Sequence, residues 1–145
     1  MKKAILLLML SLFSSFIYGQ EKNQLQLLDK FIIAHNLGTE EAISKFIKEA
    51  YGPSLLKKIN LKKQINFYDH IVKEFGPLNN EIYELVEVKP TKLIVQLIKK
   101  EESLLNQSID PAEILMVEID TSEKEPNYLI RGLGLGALVC SRRQE

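Results

Sequence analysis

Hydrophobic residues recur at helical spacing in the first half of this chain, three and four positions apart. That spacing is typical of helices that bury one face. It predicts a first helix over about 23–35, a second after a cap at Thr39, and a third between a cap at Asn60 and a stop at Gly76. The buried faces are predicted to hold Leu25, Leu28, Phe31, Ile32 and His35 in the first helix, Ala42, Ile43, Phe46, Ile47 and Ala50 in the second, and Leu61, Ile65, Tyr68, Ile71, Val72 and Phe75 in the third.

The second half of the chain alternates apolar and polar residues, which is typical of half-buried strands. Because no helical pattern long enough for a crossover separates the segments, they favour an antiparallel sheet. Helices followed by such a sheet define the α+β class. The predicted strands are 81–88, 92–99, 112–120 and 128–139, with Ile82, Val86 and Val88, then Leu93, Val95 and Leu97, then Leu115, Val117 and Ile119 on one side of the first three.

The first 19 residues read as a secretory signal peptide. Lys2 and Lys3 precede an apolar run, Ala4 to Tyr18, and small or polar residues follow at Gly19 and Gln20. This run is too short and too rich in serine for a stable membrane span. We therefore expect an exported protein, periplasmic or extracellular, without stable membrane insertion once the leader is cleaved.

Removing residues 1–19 leaves 20–145, which is the length of one domain. The leader holds two lysines and no acid, so the mature chain has 17 basic against 19 acidic residues. This near-neutral balance gives no electrostatic case for nucleic acid as a partner. With Cys140 alone, no disulfide within the chain can form, so the hydrophobic core has to stabilise the fold.

Three pieces of the mature chain resemble the nuclear transport factor 2-like superfamily. They are FIIAHNLGTEEAISKFIKEAYGPSLL at 31–56, FGPL at 75–78, and LIRGLGLGAL near the C-terminus, in that order. More narrowly, the chain resembles exported bacterial domains of this fold that precede serine hydrolase or β-lactamase-like domains. The resemblance implies a cone in which three N-terminal helices wrap a curved antiparallel sheet of about four strands around a cavity. This fold serves enzymes, dimerisation modules and simple binding proteins, so it does not select a function.

If such a cavity exists, aromatic residues and one histidine on the predicted helices are candidates to line it. We take Phe31, His35, Phe46, Tyr51, Tyr68 and Phe75 as candidate ligand-binding residues. A histidine at the end of a helix is more often a structural group than a ligand, and His35 is open to both interpretations.

No catalytic set is evident from the spacing. Glu84, Glu87, Glu113 and Glu118 are candidate bases by residue type alone. Successive helical residues point about 100° apart, so Tyr68-Asp69-His70 cannot meet as a triad; we expect Tyr68 to face the core while its two neighbours face water.

Two further signals are weak. His35, His70 and Cys140 lack the spacing of a metal-ligand set, and no metal or other cofactor is predicted. The glycines at 132, 134 and 136 superficially match a dinucleotide-binding fingerprint, but that motif needs a helix after it and none can follow here. They instead indicate a strand that bends or comes close to the backbone of its neighbour.

Two classes of function remain. The preferred one is a non-catalytic exported module that binds a small apolar ligand or a protein partner, with a homodimer through the sheet as a further candidate. The alternative is a small lyase, isomerase or hydrolase with its active site in the cone. That alternative needs His35 or a strand glutamate as base beside Tyr51, Tyr68 or Tyr83 as hydrogen-bond donor. The cone would instead be filled, which argues against an enzyme, if four aromatic residues pack against one another inside it: Phe31, Phe46, Tyr68 and Phe75.

Overall fold

The computed structural model describes residues 23–100, 109, 113–122 and 129–137. In this part of the chain, helices precede a four-stranded antiparallel sheet, which confirms the α+β class. The helices are α1 (23–37), α2 (Glu40–Ala50), α3 (Pro53–Leu56) and α4 (Leu61–Phe75). The strands are β1 (Glu84–Lys89), β2 (Lys92–Ile98), β3 (Ile114–Thr121) and β4 (Ile130–Ala137).

The predicted caps begin α2 and α4. Thr39 Oγ1 accepts a hydrogen bond from the Ala42 amide at 3.2 Å, and Asn60 Oδ1 accepts one from the Lys63 amide at 3.1 Å. Each satisfies one of the amides that a helix start leaves unpaired. Gly76 ends α4 with φ +64°, a backbone conformation open to glycine because it has no Cβ.

The prediction of three helices was wrong for the described chain, which contains four. The additional helix, α3, is a single turn between α2 and α4. Pro53 is its first residue, where a missing amide hydrogen costs nothing and the fixed φ of proline suits a helix. Leu55 and Leu56 lie in it and are partly buried against the core.

The strands are hydrogen-bonded in chain order, β1-β2-β3-β4, with every neighbouring pair antiparallel. Pro90 and Thr91 connect β1 to β2, so these two strands form a hairpin. Leu93, Val95 and Leu97 pair with Ile119, Val117 and Leu115 respectively, and all six are buried on the face that meets the helices.

The predicted alternation within β1 was wrong at one position. Leu85 pairs with Val95 and Val88 pairs with Leu93, while a register irregularity lies between Leu85 and Glu87. Val88 is therefore on the core side as predicted, and Ile82, just before β1, packs against the core. Val86 instead lies at the bulge, where an extra residue shifts the alternation and puts Leu85 on the core side.

Half-buried strands imply that one side of the sheet faces solvent, and Gln96 lies on the side opposite the core. Gln96 is instead 7% exposed, and Ile98 and Ile114, which pair with each other, are also buried on this side. The far face of the sheet is therefore covered at the end of β2 and polar towards Glu118.

Four long-range hydrogen bonds help to hold the elements together. The side chain of Asn36 in α1 accepts from the Leu78 amide at 2.7 Å and donates to the Leu78 carbonyl at 2.9 Å. The amide of Gly52, just after α2, donates to the carbonyl of Ile130 in β4 at 2.8 Å. The side-chain amide of Gln24 donates to the carbonyl of Lys89 at 3.2 Å, which fixes the end of β1 to α1.

Several predictions concern residues outside the described chain. They are the signal peptide at 1–19, Cys140, and the ends of the last two predicted strands at Ala112, Tyr128 and Val139. Within the described residues, no helix has both the length and the apolar character needed to span a bilayer.

Candidate functional site

The six candidate ligand-binding residues form one buried cluster at the centre of the helices. Phe31 and His35 come from α1, Phe46 from α2, Tyr51 from its C-terminal cap, and Tyr68 and Phe75 from α4. Each is at most 4% exposed. Helical spacing predicted the burial of five of them, whereas Tyr51 is the cap that follows α2. The packing of α1, α2 and α4 brings the six together.

Edge and tilted ring contacts fill this aromatic cluster. The ring centre of Phe31 lies 6.0 Å from that of Phe46 and 6.2 Å from that of Tyr68, and Phe46 lies 6.0 Å from Tyr68. Such separations are within the range of favourable aromatic pairs. The space among these three rings is occupied by side chains.

Tyr51 and Tyr68 provide the polar atoms of the aromatic cluster. Their hydroxyl oxygens lie 2.8 Å apart, and Gln64 Nε2 donates to the Tyr51 hydroxyl at 3.3 Å. Burial raises the pKa of Tyr51, and burial raises the pKa of Tyr68 well above its ordinary value, so both remain protonated at neutral pH. This arrangement offers hydrogen-bond donors but no base.

His35 is oriented by a backbone carbonyl. Its Nε2–H donates to the carbonyl of Gly76 at 2.7 Å, and the ring is 2% exposed. This hydrogen bond requires a proton on Nε2, so in the neutral ring Nδ1 carries a lone pair, for which the described residues provide no partner. Burial lowers the pKa of His35, which favours that neutral ring.

The strand glutamates lie away from the aromatic cluster. Glu118 is paired with Lys92 at 2.7 Å, Glu113 with Lys99 at 3.4 Å, and Glu87 with Lys89. Glu84 is exposed and pairs across the sheet with Gln96, on the opposite side from Val95 and the core. None of the four glutamates faces the tyrosine pair, so the base and donor of the enzymatic alternative do not converge in the described structure.

The remaining sequence motifs behave as surface or packing features. Tyr68 is buried while Asp69 bonds to Lys73 at 2.6 Å and His70 lies 3.6 Å from Glu74, so the prediction that they do not form a triad is confirmed. Among the described residues no group of His, Cys, Asp and Glu has a metal-binding arrangement.

The glycines of β4 were predicted to mark a bend or a close approach to a neighbouring strand. A Cβ at Gly132 would lie 3.3 Å from Asp120 Oδ2 on β3, and a Cβ at Gly136 would meet no atom within 4 Å. The close approach at Gly132 is therefore to the side chain of Asp120 and not to a backbone.

An open groove lies between α1 and α2, and sequence reasoning did not identify it. Its volume is about 390 Å³. Ile33 and Leu37 line it from α1 and are 60% and 63% exposed, and Phe46 connects it to the aromatic cluster. The rim also carries charge, from Lys30, Glu41, Lys45 and Glu49.

A sequence signal for the groove was present. Ile33 and Leu37 are apolar and four residues apart, yet they lie outside the predicted buried face of α1. Because residues four apart lie on the same side of a helix, these two form a small exposed apolar patch.

No family model, curated protein or solved structure matches this chain.

Proposed function

We propose that this protein is a non-catalytic exported binding module and that the groove between α1 and α2 holds a small apolar ligand. The observation that carries this proposal is the pair Ile33 and Leu37, both about 60% exposed on one side of α1 and lining a groove of about 390 Å³. Pockets for small molecules begin at roughly 300 Å³ and are mainly apolar with a few polar groups. The groove fits that description.

The alternative of an enzyme in the cone has less support. Phe31, Phe46 and Tyr68 pack against one another where a substrate would have to bind. In the part of the chain that the structure describes, the buried tyrosine hydroxyls bond to each other and to Gln64 rather than to a carboxylate. Three of the candidate glutamates are ion-paired with lysines. A groove on the outside of the helices accounts better for a module that binds without transforming its ligand.

The nuclear transport factor 2-like cone is part of the same proposal. Helices that precede a four-stranded antiparallel sheet in chain order agree with that fold, although they are also found in other α+β proteins. The curvature of the sheet in an experimental structure tests the cone.

Export is likewise proposed from the sequence of residues 1–19. Native mass spectrometry of the protein from the exported fraction of its host tests both cleavage and ligand retention. We expect a mass that lacks residues 1–19 and a small molecule that mild denaturation releases. An intact leader on the recovered protein would contradict cleavage.

Groove binding is tested with the neutral fluorescent probe phenylnaphthylamine and the variants Ile33→Glu and Leu37→Glu. Because both side chains are largely exposed, the fold should tolerate either change. A glutamate at either position would be covered by the bound probe, so probe binding should weaken about tenfold. Phe67→Glu is the matched control, since Phe67 is 40% exposed on α4 and does not line the groove. Equal probe binding by all three variants and the parent protein, or none by the parent protein, would reject the proposal.

A further inference from the structure

Strand β1 forms one edge of the described sheet, and its core-facing side extends beyond the helices that cover the other strands. Leu85 and Val88 pair with the buried residues Val95 and Leu93, yet they are 51% and 40% exposed. Val86, at the bulge, is 46% exposed. An edge strand with exposed apolar residues is a site where a further strand can pair, and proteins normally protect such edges.

We propose that β1 pairs with β1 of a second copy of this chain, antiparallel and across a two-fold axis. In the proposed register Glu84 lies opposite Lys89 of the second copy, and Leu85 lies opposite Val88. Both members of the first pair lie on the polar side of the sheet, and both members of the second lie on the core side. The two-fold axis repeats each pair, so the dimer contains two apolar pairs and two Glu84–Lys89 ion pairs, in which Lys89 is shared with Glu87 of its own strand.

The charge pattern of β1 favours this register over its neighbours. A shift of one residue places Glu84 opposite Val88 or Leu85 opposite Lys89, so residues from opposite sides of the sheet would meet. In the proposed register only Val86, at the bulge, lies opposite a charged residue, Glu87. A shift of two residues in one direction places Glu84 opposite Glu87 of the second copy, and like charges directly opposite each other destabilise a sheet. In the structure Glu84 is exposed, while Lys89 is paired with Glu87 on its own strand.

The bulge selects the partner. It lies between Leu85 and Glu87, so the two-fold axis of the proposed dimer passes next to the bulge in both copies. A regular strand paired along this edge would lose the match between its sides and those of β1 at the bulge, whereas a second copy has the same irregularity at the same place. Gln24 already donates to the Lys89 carbonyl, so the new backbone pairing centres on residues 85–88.

Pairing of two short strands buries little surface, and interfaces of this size are weak. The dimer is therefore sought over a concentration series that reaches about 1 mM, where a weak complex is populated. Sedimentation equilibrium of the protein in the processed form that cells produce should show a monomer that converts to a dimer with rising concentration. Amide exchange in residues 85–88 should slow over the same range.

Charge reversal distinguishes this interface from any other. Glu84→Lys and Lys89→Glu each place like charges at both ion pairs and should raise the dissociation constant about tenfold. An equimolar mixture of the two variants restores attraction at both positions, so it should form a heterodimer at least as tight as the parent dimer. A general loss of stability in either variant would not be reversed by mixing.

Glu81→Lys is the matched control, because it makes the same charge change at an exposed residue just before β1. It should leave dimerisation unchanged. A parent protein that stays monomeric throughout the series overturns the proposal. So does a dimer that both charge reversals leave intact, since that result places the interface elsewhere. Neither result bears on the groove, where binding is measured separately.

Discussion

The hydroxyl oxygens of Tyr51 and Tyr68 lie 2.8 Å apart in the buried aromatic cluster, although the residues are 17 positions apart in the chain. The backbone at Tyr51 is also held, through a bridge between Tyr51 and Ile130 of β4. The tyrosine pair thus joins the end of α2 to the middle of α4, beside the point where the helices meet the sheet.

Removal of one hydroxyl from this pair should have unequal effects. Tyr51→Phe leaves the Tyr68 hydroxyl buried and removes the acceptor for Gln64, so we expect it to lower the free energy of unfolding by about 2 kcal/mol. Tyr68→Phe leaves Tyr51 bonded to Gln64 and should cost about 1 kcal/mol. Urea unfolding of both variants and of the double variant measures the coupling between the two residues. A double variant whose loss equals the sum of the single losses would show that the hydrogen bond contributes no coupling.

Asn36 provides a second link that helps to hold α1 to the rest of the chain. Its side chain makes two hydrogen bonds to the backbone of Leu78, which is fully buried. Asn36→Ala leaves the Leu78 amide without that partner and should cost about 1–3 kcal/mol in thermal or urea unfolding. Asn36→Asp keeps the acceptor and loses the donor, so its cost should be intermediate.

Asn80→Ala is the control for Asn36. Asn36 also lies 3.4 Å from the Asn80 side chain, but that contact is exposed. Its loss should change the free energy of unfolding by less than about 0.5 kcal/mol. Equal losses for Asn36→Ala and Asn80→Ala would show that the bonds to Leu78 do not stabilise the fold.

The helices were predictable because their information is local. The three- and four-residue spacing of apolar positions predicted that Phe31, Phe46 and Tyr68 lie on buried helix faces. The caps Thr39 and Asn60 each accept a hydrogen bond from an amide only three residues further along the chain. Both signals are contained within one or two turns of helix.

The features that escaped prediction depend on residues far apart in the chain. Asn36 meets Leu78 only after α4 has folded back over α1, and a bulge in β1 is visible only against the register of β2. The groove required both α1 and α2 in place. Sequence patterns therefore identified the buried cluster but not the surfaces proposed for binding.

His35 should make stability depend on pH. Burial lowers its pKa below the ordinary value of 6.5, so between the two pKa values the unfolded chain binds a proton that the folded chain does not. This contribution to stability is complete above about pH 6.5 and is lost as the pH falls below it, by at most about 1.4 kcal/mol per pH unit.

The variant His35→Gln keeps a donor near Gly76 but does not titrate in this range. The difference in free energy of unfolding between the parent protein and His35→Gln should be constant above pH 6.5 and should fall at lower pH. His70→Gln, in which an exposed ring is replaced, is the control. A difference curve for His35→Gln that is flat between pH 5 and 8 would show that His35 is not a buried neutral group.

Gly76 allows a test of backbone strain without a steric contribution. Its φ is +64° and its ψ is −163°, a region that glycine alone adopts readily, and a Cβ added there would meet no atom within 4 Å. Gly76→Ala should therefore cost about 1–3 kcal/mol through the backbone alone. Gly76→Asn should not recover that loss, because asparagine tolerates the left-handed helical region and not this one.

Gly136→Ala is the control, since a Cβ at Gly136 also meets no atom within 4 Å and this glycine lies in strand β4 without a positive φ. A loss for Gly76→Ala no larger than that for Gly136→Ala would mean that the chain relaxes at the end of α4. In that case the hydrogen bond from His35 to the Gly76 carbonyl should weaken in the same variant, because both depend on this backbone conformation.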